Sequence, residues 1–326
     1  MRSVSVSAAS ARAPRHGAGS VDSLTALVGR TPLVRLRAFE AEVPGVELYA
    51  KLEFFNPGGS VKDRAALQMV REALDGGRLR PGQTLIDSTS GNTGVAYAWI
   101  GAALGIPVAL VMPENVTAAR KQITAAFGAQ LIYSDPMEGS DGAIRHARAL
   151  IEADPSRWFY PDQYSNAANP RAHELGTARE IWEQTQGRVT HFVCGVGTSG
   201  TAMGTTRGLK AKNPAIRVEG VQPSEPMHAL EGLKHIPSSI VPGIYDASAL
   251  DGTRWITTDE GWDVTDRLAQ AEGLMVGHSS GAALAGALEV ARELSARGEP
   301  GVVVTLFPDR ADRYFEPGRW TREYQW

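Results

Sequence analysis

From Val46 onward, short runs of β-branched and aliphatic residues alternate with longer segments of helical character, and no other feature limits the fold as much. The runs VELYAKLE, TLIDST, VALVMP and QLIYSD are each followed by a helix-like stretch, the first from about Ser60 and the second from about Asn92. Strands joined by crossover helices pair in parallel, and a parallel sheet needs helices on both of its faces. The polar, proline-bearing stretch QYSNAANP near position 166 marks a crossing between two units. A second series follows it: a helix around 172–185, HFVCGVG, a helix from about 200 to 212, RVEGVQP, helices around 264–272 and 282–297, and VVVTLFPD. The fold class predicted is α/β, with two open, mostly parallel α/β domains and a cleft between them. Residues 21–52 with 166–315 are expected to form the larger domain and 53–165 the smaller. In open α/β sheets ligands bind beyond the carboxyl ends of the strands, where the glycine-rich turns of this chain fall.

Composition narrows the partners. Acidic residues number 36 against 33 basic ones, and no basic block or stripe offers a surface to nucleic acid or anionic membrane, which leaves small molecules. A single cysteine, Cys194, rules out an internal disulfide, is expected to be a small buried strand residue, and makes no demand on an oxidising compartment. The seven histidines show no ligand spacing, so no metal is expected. No apolar run reaches the roughly 18 to 20 residues of a membrane helix, so a soluble protein is expected, and the single cysteine makes a reducing cytoplasm its default compartment. Residues 1–20 read as a disordered extension, although the Ser, Ala and Arg before Ser20 also suit a transit peptide. Residues 316–326 read as a tail whose Trp320, Tyr324 and Trp326 fold over the site or a partner subunit, or dock loosely.

Four segments carry chemistry. In NPGGSVKDR, Ser60 can cap a helix and Lys62 falls in its first turn, where the helix dipole and burial lower an amine's pKa. A neutral amine suits imine chemistry; a solvated surface lysine beside Asp63 and Arg64 is the alternative. STSGNTG follows a strand and opens a helix, so Thr89, Ser90, Asn92 and Thr93 crowd hydrogen-bonding groups where a carboxylate or phosphate binds, or simply cap the turn. GVGTSGT satisfies the dinucleotide pattern with Gly195, Gly197 and Gly200, and Glu219 stands near the place of a ribose-binding acid. Its hydroxyls, Thr198, Ser199 and Thr201, suit a single phosphate monoester better than a bridging pyrophosphate. In GHSSGAALA, Ser279 or Ser280 caps a helix of small residues.

In this order and spacing the four segments resemble the cysteine synthase and cystathionine β-synthase family, fold type II enzymes that use pyridoxal 5'-phosphate; the resemblance runs from about Val21 to Tyr314. HALEGLKHIPSSIVPGIYD and PDRADRY are more similar to the cysteine synthase B branch. The resemblance implies that Lys62 is the catalytic lysine that carries the cofactor as a Schiff base, and that Asn92 meets its 3-hydroxyl. Gly197, Thr198, Ser199, Gly200 and Thr201 would hold the phosphate, and Ser279 would face the pyridine nitrogen. Thr89, Ser90, Thr93 and Gln163 would hold the substrate carboxylate. On this reading the larger domain binds the cofactor phosphate and the smaller one the substrate. A neutral hydroxyl at the ring nitrogen makes a weaker electron sink than a carboxylate would, which favours loss of a β-substituent over transamination.

The activity implied is β-replacement on O-acetylserine or O-phosphoserine by a sulfur nucleophile to give L-cysteine. Cystathionine synthesis or serine dehydration on the same scaffold, a nucleotide-dependent oxidoreductase and a non-catalytic cofactor-binding paralogue are the alternatives. A homodimer is implied, with serine acetyltransferase or a sulfur-carrier protein as partner. Two positions depart from the family: His278 replaces an apolar residue and is expected to be a hydrogen-bonded core histidine, and Ser199 replaces a frequent glycine. Lys234 is expected at the substrate mouth, where it would meet a phosphate leaving group.

Overall fold

The computed structural model describes residues 20–314. The expected N-terminal extension before Ser20 and the tail with Trp320, Tyr324 and Trp326 lie outside the described residues.

The strands in chain order are β1 (Leu33–Arg35), β2 (Val46–Leu52), β3 (Thr84–Ser88), β4 (Val108–Pro113), β5 (Gln130–Ser134), β6 (Trp158–Phe159), β7 (His191–Gly195), β8 (Arg217–Pro223), β9 (Gly252–Ile256) and β10 (Gly301–Phe307). They form two sheets, β1-β2-β10-β7-β8-β9 and β5-β4-β3-β6. Every pairing is parallel except that of β1 with β2. The two-sheet α/β fold expected from the alternation is therefore the fold observed.

Successive residues of a strand point to opposite faces, and the cores follow this period. In β10, Val303 and Phe307 pack with Leu284 and Leu288 of the helix His278–Ala296, whereas Val302, Val304 and Leu306 join Ile181, Met203 and Leu209 on the other face. In the smaller sheet, Val108, Leu110 and Met112 meet Met69, Tyr97 and Ile100 of the helices Lys62–Asp75 and Asn92–Leu104. Ala109 and Val111 face Ala143 and Ala147 of the helix Gly139–Ala153.

Strands β1, β6 and β9 carried no usable periodicity in the sequence. Two of them have three residues or fewer, and all three are sheet edges whose pairing is settled by the neighbouring strand. The helix read around 172–185 is a continuous run from Ala168 to Gln184 interrupted by a π turn at His173–Thr177. The helix read from 264 starts at Thr258, where Thr257 and Glu260 form a capping box that the motif T-x-x-E already spelled out. One expectation is corrected: Gly277 is the N-cap of the last long helix, so Ser279 and Ser280 lie inside its first turn and do not cap it.

Buried charges tie the Lys62 helix to the larger sheet. Arg64 donates to both oxygens of Glu53 at 2.6 and 2.9 Å and to both oxygens of Glu180 at 2.8 Å. Lys51, fully buried on β2, pairs with Glu180 at 2.7 Å. Two cations and two anions thus balance within one buried cluster, the condition under which ions survive burial.

Candidate active site

The loop before Lys62 is held by a buried acid. Asp63 accepts the N–H of Gly58 at 2.5 Å and the indole N–H of Trp99 at 3.0 Å. Burial pushes its carboxyl up to about 6. Gly59 has φ +76°, a conformation that favours glycine. The helix then begins at Lys62, whose backbone N–H donates to Ser60 Oγ at 3.3 Å. The Lys62 side chain is only partly exposed; burial lowers its pKa, and the nearby carboxyl of Asp309 opposes that shift. A freely solvated surface lysine is not what the fold builds here.

The loop STSGNTG leaves the carboxyl end of β3, with Gly91 as N-cap and Asn92 as the first helical residue. Thr93 donates its hydroxyl to Gln163 Oε1 at 2.9 Å, which joins two residues read as carboxylate ligands although they are far apart in the chain. Asn169 donates to the backbone carbonyl of Gln163 at 2.7 Å and to Thr198 Oγ1 at 3.2 Å. The stretch QYSNAANP, read from the sequence as a crossing and, at Gln163 alone, as a carboxylate ligand, therefore links the loops STSGNTG and GVGTSGT. Its polar density was the signal that would have found it.

The loop GVGTSGT leaves the carboxyl end of β7 and opens the helix Gly200–Lys212. Its fine structure is unusual. Ser199 stands at φ +70°, the left-handed region, which accounts for glycine being frequent at this place in the family. Its Oγ is buried and has no hydrogen-bond partner. Thr201 Oγ1 lies 3.4 Å from Nε2 of His173, a histidine that burial, with the charge of Arg64, depresses to about 3 and so keeps neutral. Glu219, the acid of the dinucleotide alternative, lies in the middle of β8, buried and bonded by Arg254 Nε at 2.5 Å. A ribose-binding acid belongs at a strand's carboxyl end, so the loop stands without the partner that reading needs.

At the last motif Ser279 is buried. His278 stacks on Trp262 with ring centroids 4.6 Å apart and tilts against Tyr314 at 6.2 Å. The expectation of a hydrogen-bonded core histidine is replaced by a half-buried ring held between aromatic neighbours. Cys194 is buried as expected, with its thiol pushed up to about 12 by burial, so it is no nucleophile at neutral pH.

Two adjoining cavities bring the motifs together. The narrower is lined by Lys62, Asn92, Gly197, Thr198, Ser199, Thr201 and Ser279. The wider, about 410 Å³, is lined by Lys62, Thr89, Ser90, Asn92, Thr93, Gln163, Gly197 and Thr198. Gly200 lines neither cavity; a Cβ there would overlap Asn169 Oδ1. Lys234 does line the wider cavity, over the ring of Tyr164 at 5.3 Å. Wall residues that sequence reasoning missed include Asp309 and Glu231 in the narrower cavity, and Arg120, Arg313 and Tyr314 in the wider one. Among the described residues no cluster of His, Cys, Asp or Glu is suited to a metal ion, and no helix is long and apolar enough to cross a membrane.

A depressed amine shared by two cavities, one ending in hydroxyls and helix N–H groups, is the donor set of a pyridoxal-phosphate enzyme of fold type II. The buried, unpartnered hydroxyl of Ser199 fits a phosphate oxygen, and the Lys62 amine, its pKa lowered by burial, fits an aldehyde carbon. The family model for pyridoxal-phosphate dependent enzymes matches residues 24–309, and the chain belongs to that family. It is 53% identical over 295 residues to a cysteine synthase of Aquifex aeolicus, covering 90% of each chain. It is 46% identical over 291 residues to a cysteine synthase B of Pseudomonas aeruginosa, covering 89% of this chain and 95% of that one. Among solved structures, O-acetyl serine sulfhydrylase isoform 3 of Entamoeba histolytica matches with a TM-score of 0.87 and 34% identity, over 94% of this chain and 93% of the other.

Proposed function

We propose that the protein makes L-cysteine by replacing the β-substituent of O-acetylserine or O-phosphoserine with a sulfur nucleophile. The observation that carries this reading is the position of Lys62, on the wall common to the phosphate-type cavity and the cavity of the Thr89–Thr93 loop. Pyridoxal phosphate, when bound, supplies the electron sink that acidifies the substrate's α-proton and lets the β-substituent depart.

The chain's own groups do the rest. The hydroxyls of Thr198, Ser199 and Thr201, with the N–H groups of the 197–201 loop, hold the phosphate, and Asn92 donates to the phenolic oxygen. Ser279 offers the ring nitrogen a neutral hydroxyl. Thr89, Ser90, Thr93 and Gln163 hold the substrate carboxylate and so aim the α-proton at Lys62. Lys62 takes that proton, the bond from Cβ to the ester oxygen breaks with both electrons leaving on the oxygen, sulfur bonds to Cβ, and Lys62 returns the proton to Cα. Burial suits Lys62 to this work, because an amine with lowered pKa is unprotonated for a larger part of the time.

The four-stranded sheet and its helices, residues 53–165, serve as the smaller substrate-binding domain against residues 21–52 and 166–315. A cytoplasmic homodimer that receives its substrate or sulfur from serine acetyltransferase or a sulfur-carrier protein completes the reading. The deciding experiment records the visible spectrum of the purified protein before and after O-acetylserine or O-phosphoserine, then assays product with sulfide and with homocysteine. A yellow protein whose spectrum changes with the ester and which yields cysteine from sulfide supports the proposal. A protein that takes up no pyridoxal phosphate, or that accepts only homocysteine, overturns it.

A further inference from the structure

The segment after β10 threads between the first and the last motif. Pro308 O accepts the N–H of Val61 at 2.9 Å, Asp309 O accepts that of Gly277 at 3.1 Å, and antiparallel bridges pair Ser60 with Asp309 and Val276 with Arg310. Two motif glycines leave room for its side chains. A Cβ at Gly59 would overlap the guanidinium of Arg313, and one at Gly277 would overlap Asp309 Oδ1 and crowd the Tyr314 ring.

These side chains close on Asn92. Arg313 Nη1 donates to Asn92 Oδ1 at 2.6 Å, and Nη2 donates to the carbonyl of Gly58. Asp309 Oδ2 accepts from Asn92 Nδ2 at 2.5 Å and from the Tyr314 hydroxyl. A guanidinium has donors only, so the atom facing Arg313 has to be the amide oxygen, and the amide cannot turn over without setting N–H against N–H. The amide nitrogen carries two hydrogens, and one of them goes to Asp309. Asn92 lines both cavities, and Asp309 Oδ1, buried and without a partner, belongs to an acid in the wall of the narrower one.

We propose that Arg313 and Asp309 are positioning residues that lock the carboxamide of Asn92 so that its second N–H faces the cofactor. The lock rests on the reading that Asn92 donates to the cofactor's phenolic oxygen. A turned amide would offer that oxygen a lone pair and repel it.

The test titrates apoprotein with pyridoxal phosphate and follows cofactor affinity and the visible absorption band in the wild type, Asn92→Ala, Asp309→Ala, Asp309→Asn, Arg313→Ala and the double variants with Asn92→Ala. Thermal melting confirms that each variant folds. Loss of one charged hydrogen bond predicts affinities about tenfold weaker in Asn92→Ala, Arg313→Ala and Asp309→Ala, each with a shifted band. Asp309→Asn keeps an acceptor and a similar shape, so it holds affinity within about twofold even if Asp309→Ala folds poorly. In the Asn92→Ala background neither further substitution adds more than about twofold, because partners acting through one group are not additive. Wild-type affinity and band in Arg313→Ala and Asp309→Ala, with Asn92→Ala impaired, would overturn the lock, as would losses that multiply in the double variants. Wild-type behaviour in Asn92→Ala itself would overturn the role of Asn92, and the lock with it.

Discussion

At the scale of single residues, Ser199 sets two demands against each other. A non-glycine residue in the left-handed region costs roughly 1–2 kcal/mol, while its buried hydroxyl has no partner until a ligand supplies one. Ser199→Gly is therefore expected to raise the stability of the apoprotein by about 1 kcal/mol and to weaken cofactor binding by about fivefold. Melting of the apoprotein and cofactor titration would check the two arms separately. Lys62 gives a sharper expectation. Borohydride reduction of the cofactor-loaded protein followed by peptide mapping should label Lys62, and Lys62→Ala should lower kcat/KM by at least about a thousandfold. A label on Lys51, whose amine is fully buried and paired with Glu180, would refute the assignment.

At the scale of elements, the ion cluster around Arg64 fixes the helix that carries Lys62. Arg64→Met should cost about 3–5 kcal/mol, because Glu53 and Glu180 would be left buried with Lys51 alone; urea unfolding at neutral pH measures it. The cluster also imposes a pH dependence. Burial alone would raise the carboxyl of Glu180, but hydrogen bonds and charge from Arg64, with Lys51, hold it at about 2, below its ordinary 4.5. A carboxyl depressed on folding stabilises the fold above its unfolded pKa and loses that contribution as pH falls through the folded value. Glu180→Gln should thus be less stable than wild type at pH 7, and the gap should close as pH falls from 4.5 toward 2. A gap that stays constant with pH would show that Glu180 acts through shape and not through charge.

Elements differ in how legible they were. The strands inside the sheets, such as β4 and β10, declared themselves because both their faces are buried and the whole run must be apolar. The edges β1, β6 and β9, of three, two and five residues, pair because a neighbour offers hydrogen bonds, and none carries a usable period of its own. The π turn at His173–Thr177 was equally silent. It lies one turn after Pro170, which sits in the first turn of the run, where a missing N–H costs the ladder nothing.

At the scale of the whole molecule, the cleft has a bridge across its mouth. Arg120, on the helix Ala118–Ala126 beside the smaller sheet, pairs with Glu231 in the loop that follows β8 of the larger one. The pair is partly exposed and screened by solvent, so Arg120→Ala is expected to change stability by less than about 1 kcal/mol. Its effect should appear in substrate KM and in the salt dependence of kcat/KM, since both residues line the wider cavity. Unchanged kinetics at low and high salt would show the bridge to be idle.

The sequence by itself determined the alternating α/β order and placed the loops of Lys62, Asn92 and Ser199 after strands β2, β3 and β7, because these follow from local periodicity and from turn residues, whereas the roles of Lys62, Asn92, Ser199 and Ser279 are what the family resemblance implies. Tertiary structure decided which distant segments meet. Asn169 beneath the phosphate-type loop, Arg64 between two glutamates, and Asp309 and Arg313 on either side of Asn92 are separated from their partners by tens to hundreds of residues. No local pattern encodes such a pairing. It arises when two sheets bury their faces, and the polar groups brought inside must then find each other or leave their desolvation unrepaid.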